Sequence, residues 1–109
     1  MPISFDDFLK VDMRIGTIVK VEDSLAAKPT YRFTVYFGEE IGEKVSCAAL
    51  TNYSKEELLG RQVIAVVNFP VKKMGPERSE VLILGVPNDK DEVIHLMPQD
   101  KVSPGVRVF

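Results

Sequence analysis

A chain of 109 residues, 45% hydrophobic and 28% charged, has room for one domain, residues 1–109, around one core. Its formal net charge of −2 supplies no global basic field, so any polyanion binding has to come from a local patch. A single cysteine excludes an internal disulfide, and neither a secretory leader nor an apolar run long enough to cross a bilayer is found, which implies a cytoplasmic location and no membrane insertion.

Ser4 followed three residues later by Asp7 reads as a capping box, so a short helix is expected near the N-terminus, with Phe5, Phe8 and Leu9 on one face. Residues 13–22 are β-rich, with Ile15, Thr17, Val19 and Val21 on one face and Arg14, Gly16, Ile18 and Lys20 on the other. Gly16 offers the place for a bulge or sharp coil. Residues 31–37 alternate cleanly, Tyr31, Phe33, Val35 and Phe37 sharing a face; residues 38–42 make a turn and 44–49 return as the hairpin partner. Ser54 with Glu57 forms a second capping box, with Leu58 and Leu59 facing inward and Gly60 as the stop. Strands are expected over 62–69 and 80–86, joined by a loop over 70–79. Asn88 and Asp89 then turn the chain into a strand over 93–97, and an extended tail carries Pro98, Pro104 and Gly105.

Three strands, a helix and two more strands is the order of an all-β, five-stranded OB-fold barrel with short helices. The β-structure after the fifth strand exceeds what the barrel requires. It is read as a C-terminal β extension used for dimerisation, with a decorative edge as the alternative.

Residues that could carry chemistry are few. His95 is the only histidine and has no Cys or His neighbour at metal-ligand spacing. Cys47 falls on an expected core position with no histidine near it in sequence, which suits an inert thiol. The acidic pairs Asp6–Asp7, Glu39–Glu40 and Glu56–Glu57 sit at helix starts or in a turn, where carboxylates favour the helix dipole or face water. Phosphate loops and nucleophile–base sets are absent from the sequence, so no enzyme activity, metal or cofactor is expected.

Binding features are more informative. The stretch Pro70-Val71-Lys72-Lys73-Met74-Gly75-Pro76-Glu77-Arg78 carries three cations between two apolar strands, and a connection of that kind serves binding more often than mere chain reversal. Lys28 and Arg32 flank the connection into the second strand. With Arg14 they compose either a modest basic groove, with Tyr31 or Tyr36 for base stacking, or simply a polar outer face. Phe5, Phe8, Leu9, Met97, Val106, Val108 and Phe109 lie outside the minimal barrel, and this apolar surplus points to a homodimer interface.

Asp12-Met13-Arg14-Ile15-Gly16 with Ile18 resembles the opening signature of the tRNA-binding OB domains, which occur as free dimers and at the C-termini of some methionyl-tRNA synthetases. Asn68-Phe69-Pro70, Lys72-Lys73-Met74 and Ser79-Glu80-Val81-Leu82 resemble the family's strand–loop–strand signature. Within that family the resemblance is to the CsaA branch of export-related chaperones, carried by Phe37-Gly38-Glu39, by the run from Val66 to Pro70, by Leu96 with Pro98, and by Val102 with Pro104-Gly105. The resemblance implies a homodimer that binds unfolded or precursor polypeptides, with the secretion motor SecA as a partner where the organism has one, and tRNA as a ligand by kinship. Carried over by motif, Arg14, Lys72, Lys73, Ser79 and Glu80 match the nucleic-acid-binding face; Lys28, Arg32 and Arg78 join them from the reading of the residues. Two positions depart from the branch: Ala49 stands where a polar residue is expected, and Glu77 where an apolar one is.

Overall fold

The structure is a computed structural model that describes residues 1–26 and 28–109. Its elements run α1 (Phe5–Leu9), β1 (Met13–Asp23), β2 (Tyr31–Tyr36), α2 (Gly38–Ile41), β3 (Glu43–Ala48), α3 (Lys55–Leu58), β4 (Gln62–Val66), β5 (Lys72–Met74), β6 (Glu77–Ser79), β7 (Leu82–Ile83), β8 (Gly85–Pro87) and β9 (Val93–His95). The expected capping boxes both form: Ser4 Oγ accepts from the Asp7 N–H and Ser54 Oγ from the Glu57 N–H, each at 3.1 Å.

Five strands make one antiparallel sheet in the order β3-β2-β1-β4-β7, which coils into a nearly closed barrel of the OB type. Between its outer strands the gap is closed by side chains as well as backbone. The Glu80 N–H donates to Val45 O at 2.7 Å, while Glu80 Oε1 and Ser79 Oγ accept from the N–H groups of Val45 and Cys47. Ser46, buried, donates to Val81 O at 2.9 Å. Phe33, Val35, Phe37, Leu50, Leu58 and Val63 fill the interior, with α3 plugging the barrel through Leu58.

Several expectations need correction. The alternation along β1 is interrupted where the pairing with β2 shifts between Ile18 and Lys20, so Val19 bulges outward, Ile18 is buried, and Val21 turns toward the core. Gly16 is not the bulge. A Cβ there would run into the side chains of Val35 and Phe37, so its role is close packing. Leu58 is buried but Leu59 is exposed, because α3 is a single turn that ends in extended backbone at Leu59. The turn over 38–42 is wound into the one-turn α2.

The expected 70–79 loop contains the β5–β6 hairpin, turned at Gly75 with φ 62. The strand expected over 80–86 divides at Leu84, whose N–H still donates to Ile64 O; β8 then leaves the barrel to pair with β9. Gly85 permits this crossing, since a Cβ would press on Val93 and the Ile94 carbonyl.

The tail runs extended along the half of β1 that β2 does not reach. Gly105 N–H donates to Ile15 O at 2.7 Å, Ile15 N–H to Val106 O at 3.0 Å, and Val108 N–H to Met13 O at 2.9 Å. Buried Gln62 clamps the approach, donating to Val102 O and accepting from the Val102 N–H. Among the described residues, no helix is long and apolar enough to cross a membrane.

Candidate functional site

The β5–β6 hairpin stands out from the barrel and separates two clefts. One, of about 560 Å³, lies between the hairpin tip at Met74–Pro76 and the segment holding Leu25, Ala26 and Lys28, with Cys47, Ala48 and Ala49 as its floor. The other, of about 320 Å³, is walled by Phe69, Pro70, Val81 and Leu82, with Lys72 at its rim. Both are chiefly apolar, and Leu25, Phe69 and Leu82 are exposed on them.

A buried carboxylate fastens the hairpin. Glu77 Oε2 accepts from the Leu25 N–H at 2.9 Å and from Ser24 Oγ at 3.0 Å, and Oε1 lies 3.6 Å from Arg32 Nη1. The Leu25 N–H, with Ser24 and Arg32, holds the Glu77 carboxyl below the usual range despite its burial. Sequence reasoning noted the unusual acid at this position but not its role. Asp, Glu or Ser on a hairpin carries no signal of a partner fifty residues upstream.

The eight residues assigned to a nucleic-acid face lie in different settings. Arg14 is tied to Asp12 through Nε at 2.6 Å and Nη2 at 3.3 Å, and Nη1 donates to Gly105 O at 3.0 Å. The hydrogen bond between Arg14 and the Asp12 carboxylate lowers the pKa of Asp12 and raises that of Arg14. Arg32 is bracketed by Glu22 and Glu77, and Arg78 lies 3.9 Å from Glu80. Ser79 and Glu80 supply the barrel closure described above. Lys28, Lys72 and Lys73 are exposed and have no ion pair among the described residues. The structure therefore brings Arg32 and Arg78 to the hairpin with the two β5 lysines, whereas Arg14 belongs to the tail.

Tyr31 is part of the packing: its hydroxyl donates to Tyr53 O at 2.9 Å and its ring meets Phe33 edge-on. Cys47 is half-buried in the cleft floor and not in the core. Burial and the Glu77 charge push its thiol up, away from the reactive thiolate. His95 is buried against Tyr53 and faces Arg61, and burial together with that cation lowers its pKa. Among the described residues no group of His, Cys, Asp and Glu could hold a metal ion. Of the apolar surplus, Phe5, Leu9, Met97, Val106 and Phe109 are exposed, while Phe8 and Val108 are half-buried.

Residues 13–107 match the family model described as a putative tRNA binding domain. The crystal structure of the CsaA chaperone protein from Picrophilus torridus is 44% identical and superposes with a TM-score of 0.93 over 99% of this chain and 100% of that one. The chaperone CsaA from Bacillus anthracis str. Ames is 39% identical, with a TM-score of 0.92 over the whole of both chains. The methionine–tRNA ligase of Pyrococcus furiosus is 40% identical over 107 residues, which is 97% of this chain but 14% of the ligase. That of Thermococcus kodakarensis is 37% identical over 97% of this chain and 14% of the ligase. The chain thus spans a small part of these ligases, and the shared part is their small non-catalytic domain.

Proposed function

Because the chain belongs to the putative tRNA-binding domain family, in its CsaA-like OB-fold form, we propose that it binds without catalysing, as a homodimeric chaperone that holds unfolded or precursor polypeptides in protein export. The observation that carries this reading is the pair of apolar clefts beside the β5–β6 hairpin, edged by exposed Leu25, Phe69 and Leu82. Surfaces of this kind take apolar side chains of an extended chain through desolvation, which needs no defined sequence. The exposed Phe5, Leu9, Met97 and Val106 supply the apolar area for a second copy, and pairing would present two sets of clefts to one client. SecA is the export partner in this reading.

The test is suppression of light scattering by an aggregating client at near-stoichiometric dimer, with the solution mass measured alongside. Leu82→Asp is expected to weaken client binding by about tenfold or more, since one well-placed apolar anchor is worth about 1.4 kcal/mol or more. No suppression together with no measurable peptide binding removes the proposal, and a mass near one chain removes the dimer.

A second reading, tRNA or structured-RNA binding, is favoured by the family match and by exposed Lys72 and Lys73 on β5, which have no ion pair among the described residues. It requires affinity to fall with salt at a log–log slope of about 0.7–0.9 per neutralised phosphate, and Lys72→Ala with Lys73→Ala to flatten that slope. Salt-independent binding argues against it.

A further inference from the structure

Among the described residues the β5–β6 hairpin is a sheet of two strands, so β5 has an edge that no other strand covers. Gly75 and Pro76 make a two-residue turn, which sets Met74 and Glu77 as the pair that exchanges both hydrogen bonds. Alternation then makes Lys73 and Arg78 a pair that exchanges none, each turning its N–H and C=O away from the other strand. Arg78 O accordingly accepts from Cys47 Sγ on β3 at 3.8 Å. On the opposite edge Lys73 has no backbone partner among the described residues. Neither has exposed Val71, two residues before it. Unpaired groups at this spacing on a strand edge are what an added strand bonds to.

Side chains along β5 alternate between two faces. Lys72 lines the smaller cleft and Met74 the larger. Their partners across the hairpin, Ser79 and Glu77, are tied inward to Ser46 and to the 24–25 segment. Lys73 and Arg78 occupy the outer face and are exposed. An antiparallel strand laid on the free edge would set alternate residues beside Lys72 and Met74, on the side of the apolar clefts. The residue between them would pair with Lys73 through both of its backbone hydrogen bonds. Lys73 has no ion pair among the described residues, so an acidic residue opposite it is favoured and a basic one is repelled. The same charge disfavours the matching edge of a second copy, which would set lysine against lysine.

We propose that the free edge of β5 takes a polypeptide by strand addition, selecting an extended segment in which apolar residues alternate with acidic ones. The backbone of Val71 and Lys73 supplies affinity for an extended chain, and the clefts with the Lys73 ammonium supply the choice of side chains. The client is the one that the chaperone reading provides, whereas the strand site itself can be measured without it.

Two short labelled peptides, valine alternating with aspartate and valine alternating with lysine, are titrated into the full-length chain by fluorescence anisotropy. The aspartate peptide should bind tighter by about fivefold, and Lys73→Glu should reverse the order. Lys73→Pro removes the outward N–H without removing a hydrogen bond of the hairpin, and should weaken the aspartate peptide about fivefold. Methylating the peptide's own backbone needs no folded variant: N-methyl groups on the aspartates should abolish binding, and on the valines should leave it unchanged. Equal binding of the two peptides, an order unchanged in Lys73→Glu, or equal loss from either methylation overturns the proposal. So does binding of unfractionated tRNA with binding of neither peptide. Suppression of client aggregation that is undiminished in Lys73→Pro and Lys73→Glu overturns the strand site and leaves the chaperone reading standing. Aspartate-selective binding that the methyl groups block as described, without any suppression by the wild type, supports the strand site and removes the chaperone reading.

Discussion

Arg14 and Arg32 sit on neighbouring strands, each beside acidic residues, yet they are used in opposite ways. Arg14 spends three donors on hydrogen bonds, two to Asp12 and one to the Gly105 carbonyl, and so anchors the tail to β1. Arg32 makes no hydrogen bond to Glu22 or Glu77, although it is close to both. A guanidinium with satisfied donors is part of the architecture, and one held by charge alone keeps its donors for a ligand or for a competitor of one. Counting cations along the sequence treats the two alike.

The sharpest way to break this comparison is at the tail itself. Gly105 has φ 94, and a Cβ there would run into the Phe37 carbonyl. Left-handed backbone at a non-glycine residue costs roughly 1–2 kcal/mol, and the clash adds about 1–3 kcal/mol. Gly105→Ala should therefore lower unfolding free energy in urea by about 3 kcal/mol. A change below about 0.5 kcal/mol, ordinary for a surface site, would show that the tail is not clamped.

Next in size is the pair of arginines. Arg14→Gln should cost about 1.5–3 kcal/mol, because it leaves a carboxylate and a carbonyl short of a charged donor. Arg32→Gln should cost about 0–1 kcal/mol, as a partly exposed ion pair does. Equal losses in the same denaturation assay would erase the distinction between the two arginines.

The smallest effect concerns a third cation. Arg61 Nη1 lies 3.4 Å from His95 Nε2, where burial and the guanidinium favour neutral imidazole. The folded-state pKa lies below the ordinary 6.5, so the unfolded chain takes up the proton first. Stability is then unaffected by His95 above that pH and falls as the pH drops below it. Urea midpoints between about pH 7 and pH 5 should decline, and His95→Asn should flatten that part of the profile, which lies above the range of the lowered carboxylates. An unchanged slope in the variant would show that His95 is not held neutral by its burial beside Arg61.

Short-range patterns made much of the fold legible. The Ser4–Asp7 and Ser54–Glu57 boxes, the 31–37 alternation and the order of strands around α3 are local matters of capping and period, and they form as read. The bulge at Val19 was not legible, since it lies in the pairing register of β1 with β2, which the order of residues along β1 does not set. Nor was the exposure of Leu59, which depends on how soon α3 stops.

The candidate site divides in the same way. Composition carried the charge of −2, and residue order the clustering of cations and prolines over 70–78. Which of those cations meets an acid, and which meets water, was decided by contacts between segments far apart in the chain: Glu77 with Leu25, Glu80 with Val45, Arg14 with Gly105. Period and capping act over a few residues and are written in their order. A carboxylate's partner is set by barrel closure, which only the folded chain supplies.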